Sequence, residues 1–486
     1  MLQIKVYYDH RRTYSRSCKV DKMSSALGFL PDAFLFLKLM KGTAMKINLS
    51  DHFNYSRLIR FVLPSIIMMI FTSIYGVVDG FFVSNFTGKI PFAAVNFIMP
   101  FLMILGAIGF MLGTGGSALI AKTMGEGKTD KAKQLFSLFV YVTVFCGIVI
   151  SVLGIIFIRP VASFLGAEGE MLNNCVTYGR IILIALPFYM LQYEFQTFFA
   201  TAEKPQLGLG VTITAGVTNM VLDAMFIAVF DWGLVGAAAA TAVSQAVGGI
   251  IPLIYFMRPN TSLLRLTKTK FDGKSLLKAC INGSSELMSN ISMSVVNMLY
   301  NVQLIKYAQE DGISAYGVMM YVNMIFLAVF IGYSVGSAPI ISYHYGAGNG
   351  KELKGLLKKS LIIIVLLSLC MLIAAELLAY PLAKIFVGYD EKLMELTLSG
   401  FRIFSFVFLF AGISIFGSSF FTALNNGLIS ALISFLRTLV FQILAVIILP
   451  IFFGIDGIWL SVVVAEIMSM IITLMFISKM RNRYRY

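Results

Sequence analysis

Uncharged apolar runs recur along this chain at lengths beyond what a soluble core element uses. Residues 135–158 (LFSLFVYVTVFCGIVISVLGIIFI) contain no charged side chain, and a helix crossing the hydrocarbon layer takes about 20 such residues. The pattern predicts helices at 58–83, 93–120, 135–158, 177–200, 206–229, 234–257, 278–305, 313–342, 360–380, 397–423, 428–452 and 456–478. The expected class is an all-α integral membrane protein with twelve transmembrane helices.

The pattern also repeats, at an offset of 221–222 residues. Gly125 and Gly127 answer to Gly346 and Gly348, Arg180 to Arg402, Phe198 and Phe199 to Phe420 and Phe421, and Gly236 to Gly457. Each half holds an even number of helices, so both enter the membrane from the same side. Two lobes related by a pseudo-two-fold axis along the membrane normal follow. Facing each other, they enclose a central cleft that rocking exposes to either side in turn. Residues 1–44 are expected to be a disordered extension, 45–257 the N-lobe, 258–277 a cytoplasmic connection, 278–478 the C-lobe and 479–486 a basic tail. Duplicated bundles also build channels and membrane enzymes, but a midplane cleft between repeats favours transport.

The chain is 58% hydrophobic and 13% charged, with a net charge of +14. That charge does not imply a nucleic-acid partner, because Lys and Arg collect in alternate loops. One side receives Lys122, Lys128, Lys131, Lys133, Lys204, the segment Arg258 to Lys278, Lys351 to Lys359 and the tail from Lys479 to Arg485. The other side holds Lys89, Arg159, Lys306, Lys384 and Lys392, several beside acids such as Glu310, Asp311, Asp390 and Glu391. The basic side is expected to be cytoplasmic, with both termini there, in a multi-pass protein of the plasma or inner membrane. The short run LGFLPDAFLFLKLM near the start is too brief to span and does not read as a cleavable signal. The scattered cysteines (Cys18, Cys146, Cys175, Cys280, Cys370) imply no disulfide framework, and His10, His52 and His344 lack ligand spacing. No metal, no cofactor and no enzymatic activity are expected.

A carboxylate in the apolar layer costs at least ~2.5 kcal/mol on insertion scales, which makes each one a functional candidate. Asp79, Glu194, Asp223, Glu286, Glu376 and Glu466 qualify. Asp79 lies nineteen residues past Arg60, and Asp223 nineteen past Lys204. Both therefore reach about 28 Å of rise from the same side. Tyr75 and Asn219 each precede their acid by four residues on the same helix face, and Thr241 reaches a similar level. This grouping reads either as a small-cation site, in which one of two close carboxylates holds a proton, or as polar cement between helices. Helix seven carries Glu286, Asn290, Asn297 and Asn301 on one face, a stripe that either lines the cleft or packs helices. Glu194, between Gln192 and Gln196, reads as a substrate or gate contact or as polar packing. Arg437 lies ten residues past the Gly427 turn and Glu466 ten past Asp456 at the opposite end, so a midplane ion pair is expected. Glu376 lies near a helix end and can snorkel.

Taken together, LPSIIMMIFTSIYGVVDGFFVS, GTGGSALIAKTMGEG, TNMVLDAMFI, GAAAATAVSQ, FFTALNNG and GIDGIWLSVVVAEI resemble the MATE family of multidrug and toxic compound extrusion antiporters, prokaryotic branch, from about Met45 to the end. The resemblance implies H⁺ or Na⁺ coupling at Asp79, Asn219 and Asp223, with Tyr75 and Thr241 as neighbours, and a helix-bending role for Pro64. It also implies export of small organic, often cationic compounds; the protein is expected to be monomeric. The chain departs from the family at helix seven, where Ser284 and Ser285 stand in place of a common proline. Some members place cation ligands in the C-lobe, and here Glu286 matches that idea. A lipid-precursor flippase is the rival reading. It needs a basic cleft, whereas the embedded arginines are Arg437 at midplane and Arg180 and Arg402 near the outer ends. A membrane-embedded transferase would want paired acids or a metal motif in a polar loop, and the loops carry neither.

Overall fold

The structure, a computed structural model, describes residues 47–388, 390–484 and 486. The extension expected over 1–44 lies outside them. Six helices form the N-terminal half: α1 (Tyr55–Phe86), α2 (Lys89–Gly125), α3 (Thr129–Phe164), α4 (Gly169–Thr201), α5 (Pro205–Asp223, prolonged by a π-helical turn Ala224–Val229) and α6 (Gly233–Met257). A continuous helical run, Gly273–Gly346, follows, broken at Gln309, whose φ of 53° is left-handed. The break separates α7 (273–308) from α8 (Asp311–Gly346). Next come α9 (Gly350–Val387) and α10, two segments (Glu391–Phe404 and Val407–Ala423) meeting at 46°. Helix α11 starts as Gly427–Phe435 and passes through a π-helical turn at Leu436–Val440. It ends at Gly454, whose φ of 58° separates it from α12 (455–484). Among the described residues this makes twelve helices in two six-helix lobes, with no strand.

Most helices overrun the predicted apolar spans by several residues, because amphipathic first and last turns lie outside the apolar layer. Helix α7 starts at Gly273, ahead of the expected 278, because Asp272 caps it, accepting from Ser275 N at 3.1 Å. The Ser275 hydroxyl and amide hold the Asp272 carboxyl below the usual carboxylate range.

The basic loops all lie at one end of the bundle, and there the two lobes share one hydrophobic core. Phe136, Phe198 and Phe256 of the first lobe belong to the same buried cluster as Tyr333, Phe416, Phe420 and Phe421 of the second. Towards the other end the lobes keep separate cores, one around Phe82, Ile98 and Tyr178, the other around Tyr300, Phe404 and Trp459. The seam depends on glycine. Any Cβ on Gly115 would overlap the Ala279 carbonyl oxygen, and Gly283 meets Met111 in the same way. Gly125 sits against Tyr343, and Gly346 against Lys122. On α1, Val62, Ser65 and Ile66 lie against Gly332 and Gly336 of α8. Pro64, buried beside these contacts, is well inside α1, where it removes a backbone hydrogen bond.

A strap ahead of α1 crosses the same end. Leu49 N donates to Glu203 of the first lobe at 2.7 Å, while His52 Nδ1 and Phe53 N engage the two Glu352 oxygens of the second lobe at 2.7 and 3.0 Å. Lys359 Nζ donates to the Phe53 carbonyl, and Phe53 is fully buried.

Gly283→Ala is expected to destabilise the protein by about 1–3 kcal/mol through overpacking at backbone contacts, lowering Tm in detergent. Gly210→Ala, at a site with nothing within 4 Å of the added carbon, is the control and should leave Tm nearly unchanged.

Candidate functional site

In the N-lobe, α1, α5 and α6 bring their polar residues together at one level. Thr241 Oγ1 lies 3.4 Å from Asp79 Oδ1, to which it donates. Asp223 and Asn219 flank the same carboxylate. Asp223 is the last residue before the π-helical turn of α5, a local widening often found at functional sites. Both Asp223 oxygens, and both polar atoms of Asn219, are buried and have no hydrogen-bond partner among the described residues. A proton or small cation between the two carboxylates would give the Asp223 oxygens a partner. Tyr75 lies beside Asp79 and packs on Gly216. Sequence reasoning missed Tyr178 of α4, which is 1% exposed and faces Asp79, Asp223 and Thr241. A tyrosine in an apolar run looks like any core aromatic, so nothing in the sequence separates it.

A second site lies between the lobes, a cavity of about 350 Å³. Its charges, Glu286, Arg437 and Glu466, all come from the C-lobe, and the N-lobe contributes Phe110, Tyr189 and Tyr193 among other neutral groups. Asn290 and Asn297 line the wall with Glu286. Asn301 does not: Tyr300 takes the inward position, and the next residue, about 100° further round the helix, is exposed. Glu194 is off this wall as well. It is sealed between α4 and its neighbours, with Thr143 nearby and neither oxygen hydrogen-bonded among the described residues. Of the readings open for Glu194, its place off the cavity wall favours polar packing over a substrate contact. Arg437 Nε donates to both Glu466 oxygens at 2.9 Å. Glu376 stays outside the cavity and accepts from the Ser405 hydroxyl.

The MatE family model matches the chain twice, over residues 64–225 and 287–448. The chain belongs to the MatE family. A Staphylococcus haemolyticus protein named multidrug export protein MepA is 25% identical over 88% of this chain and 94% of its own. A crystal structure of MATE in complex with MaL6 superposes with a TM-score of 0.86 at 21% identity, covering 91% of this chain and all of that one. A structure described as the outward-facing conformation of a multidrug resistance MATE family transporter gives the same TM-score and identity, over 91% of this chain and 99% of that one.

The two MatE matches begin 223 residues apart, close to the internal offset, and comparing the halves shows where their chemistry diverged. The C-lobe counterpart of the acid cluster is neutral and satisfied: Tyr300 Oη donates to Gln442 Oε1 at 2.8 Å and lies 2.7 Å from Ser461 Oγ. Charge in this MatE lobe is instead carried by the Arg437–Glu466 pair, with Arg437 again in a π-helical turn. Removing one member of a buried pair costs about 3–5 kcal/mol because the other is left uncompensated. Arg437→Gln alone is therefore expected to lower Tm in detergent markedly, and adding Glu466→Gln should restore part of the loss. Additive losses in the double variant would contradict this coupling.

Proposed function

We propose that this chain is a multidrug export transporter of the cell membrane, driven by inward movement of H⁺ or Na⁺ through alternating access, with the basic end cytoplasmic. Membership of the MatE family and its likeness to export proteins support the direction of transport. The observation that carries the coupling mechanism is the fully buried, unpartnered Asp223 facing Asp79.

In this reading the lobes, closed at the basic end, leave the cavity accessible from the outside. A cation arriving at Asp79 and Asp223 removes negative charge from an enclosed site that cannot hold it cheaply. The helices carrying these residues, α1 and α5, repack, and Pro64, which interrupts the α1 ladder beside the seam, gives α1 a place to bend. Seam and strap then open towards the cytoplasm, where the cation leaves and an organic substrate enters the cavity. Tyr189, Tyr193 and Phe110 offer aromatic surface to a flat cation, and Met103, Met293 and Met320 offer an adaptable apolar wall.

In energised vesicles, Asp79→Asn and Asp223→Asn should each abolish ion-driven dye export at matched expression. Full export by both would move coupling away from this pair. Glu352→Gln loosens the strap and should raise cytoplasmic labelling of a cysteine introduced by Thr114→Cys in a chain lacking its native cysteines. Unchanged labelling would show that the strap does not hold the basic end shut.

A further inference from the structure

The ion pair in the cavity wall leaves part of its arginine unused. Glu466 engages Arg437 through Nε, and among the described residues no oxygen accepts from either terminal Nη atom. The Arg437 side chain is only 15% exposed, is held by its pair, and borders the cavity. Glu286, on the same wall, is in the opposite condition: its carboxylate accepts no hydrogen bond among the described residues, and Arg437 is its charged neighbour. The Asn323 Oδ1 atom, also in the wall, is buried and without a partner.

A lipophilic cation satisfies Glu286 but leaves the free Nη donors of Arg437 without an acceptor. An anion satisfies the free Nη donors but meets Glu286. A ligand carrying both charges satisfies both, and the planar fork of an arginine fits a carboxylate through two parallel N–H bonds. From the unused guanidinium edge and the free carboxylate facing one cavity, we infer that the C-lobe half of this cavity selects zwitterionic aromatic compounds, with the cationic group at Glu286 and the carboxylate at the Nη atoms of Arg437. The glutamate partner is what makes this selection possible. By occupying Nε, Glu466 fixes the guanidinium plane and cancels enough of its charge for a cation to sit nearby. This inference rests on the transport reading only for what the bound compound does next.

The test is binding without any gradient, using the full chain purified in detergent and a fluorescent rhodamine in two forms: one with a free carboxylate, the other its methyl ester. Fluorescence polarisation is expected to show the carboxylate form bound at least tenfold more tightly. The paired substitution Arg437→Gln with Glu466→Gln, which leaves no uncompensated charge, should remove that preference. Arg437→Lys, which keeps the pair's charge but loses the fork, should reduce it and serves if the paired variant does not fold. Glu286→Gln should weaken both forms. Equal or tighter binding of the ester to the wild type, a preference undiminished by Arg437→Lys or surviving the paired substitution, or no effect of Glu286→Gln would each overturn the inference. Export of the ester from energised vesicles with no carboxylate preference would sink the zwitterion site alone. Preferential binding with no export of either dye would sink the transport reading alone.

Discussion

Backbone contact between the lobes at glycine is the constraint on which the other features depend. Inside a membrane, helices gain little from the hydrophobic effect by meeting, because lipid tails are as apolar as their side chains, so close approach of small residues does the joining. Gly115 against Ala279, Gly283 against Met111, and the facing ends at Gly125 and Gly346 bring α2 within van der Waals reach of α7 and α8. These contacts lie in the basic half of the bundle, where the two lobes also merge their cores. The halves diverge beyond them, and the cavity occupies the space that results. Packing this tight is formed or absent rather than graded, which makes the seam suited to a two-state gate.

The two lobes handle buried polarity differently although they share one ancestry of helices. Tyr300 bonds both Gln442 and Ser461, so the C-lobe cluster costs little and changes little. At the matching place in the N-lobe, Asn219 and Asp223, beside Asp79, leave buried acceptors unmet among the described residues, an expense that a structural site would avoid. The C-lobe concentrates charge around Arg437 instead, where Glu466 compensates it and Glu286 remains free to meet a ligand. In the proposed function, one lobe responds to a small cation and the other holds a larger molecule.

The strap from Leu49 to Phe53 adds a polar lock to an apolar seam. Its bonds run to Glu203 in one lobe and Glu352 in the other, so separating the lobes at this end exposes Phe53 and breaks charge-assisted hydrogen bonds together. In the proposed transport cycle those losses are recovered elsewhere.

Length, hydropathy and the alternation of basic loops together determined the twelve helices, and the breaks at Gln309 and Gly454 fall in the gaps between predicted spans. Depth was equally legible. Counting residues inward from charged loops placed Asp79, Asp223 and Thr241 at one level, and Arg437 level with Glu466, because helical rise per residue is fixed whatever the packing. Rotation and crossing were not legible. The hydrophobic pattern cannot tell a lipid-facing side from a helix-facing one when both are apolar, so the sequence left open that Asn301 turns outward, that Glu194 is walled off from the cavity and that Tyr178 reaches the acids. Only the tertiary structure decided these, together with the glycine seam and the strap, since each depends on which helix backbone lies against which.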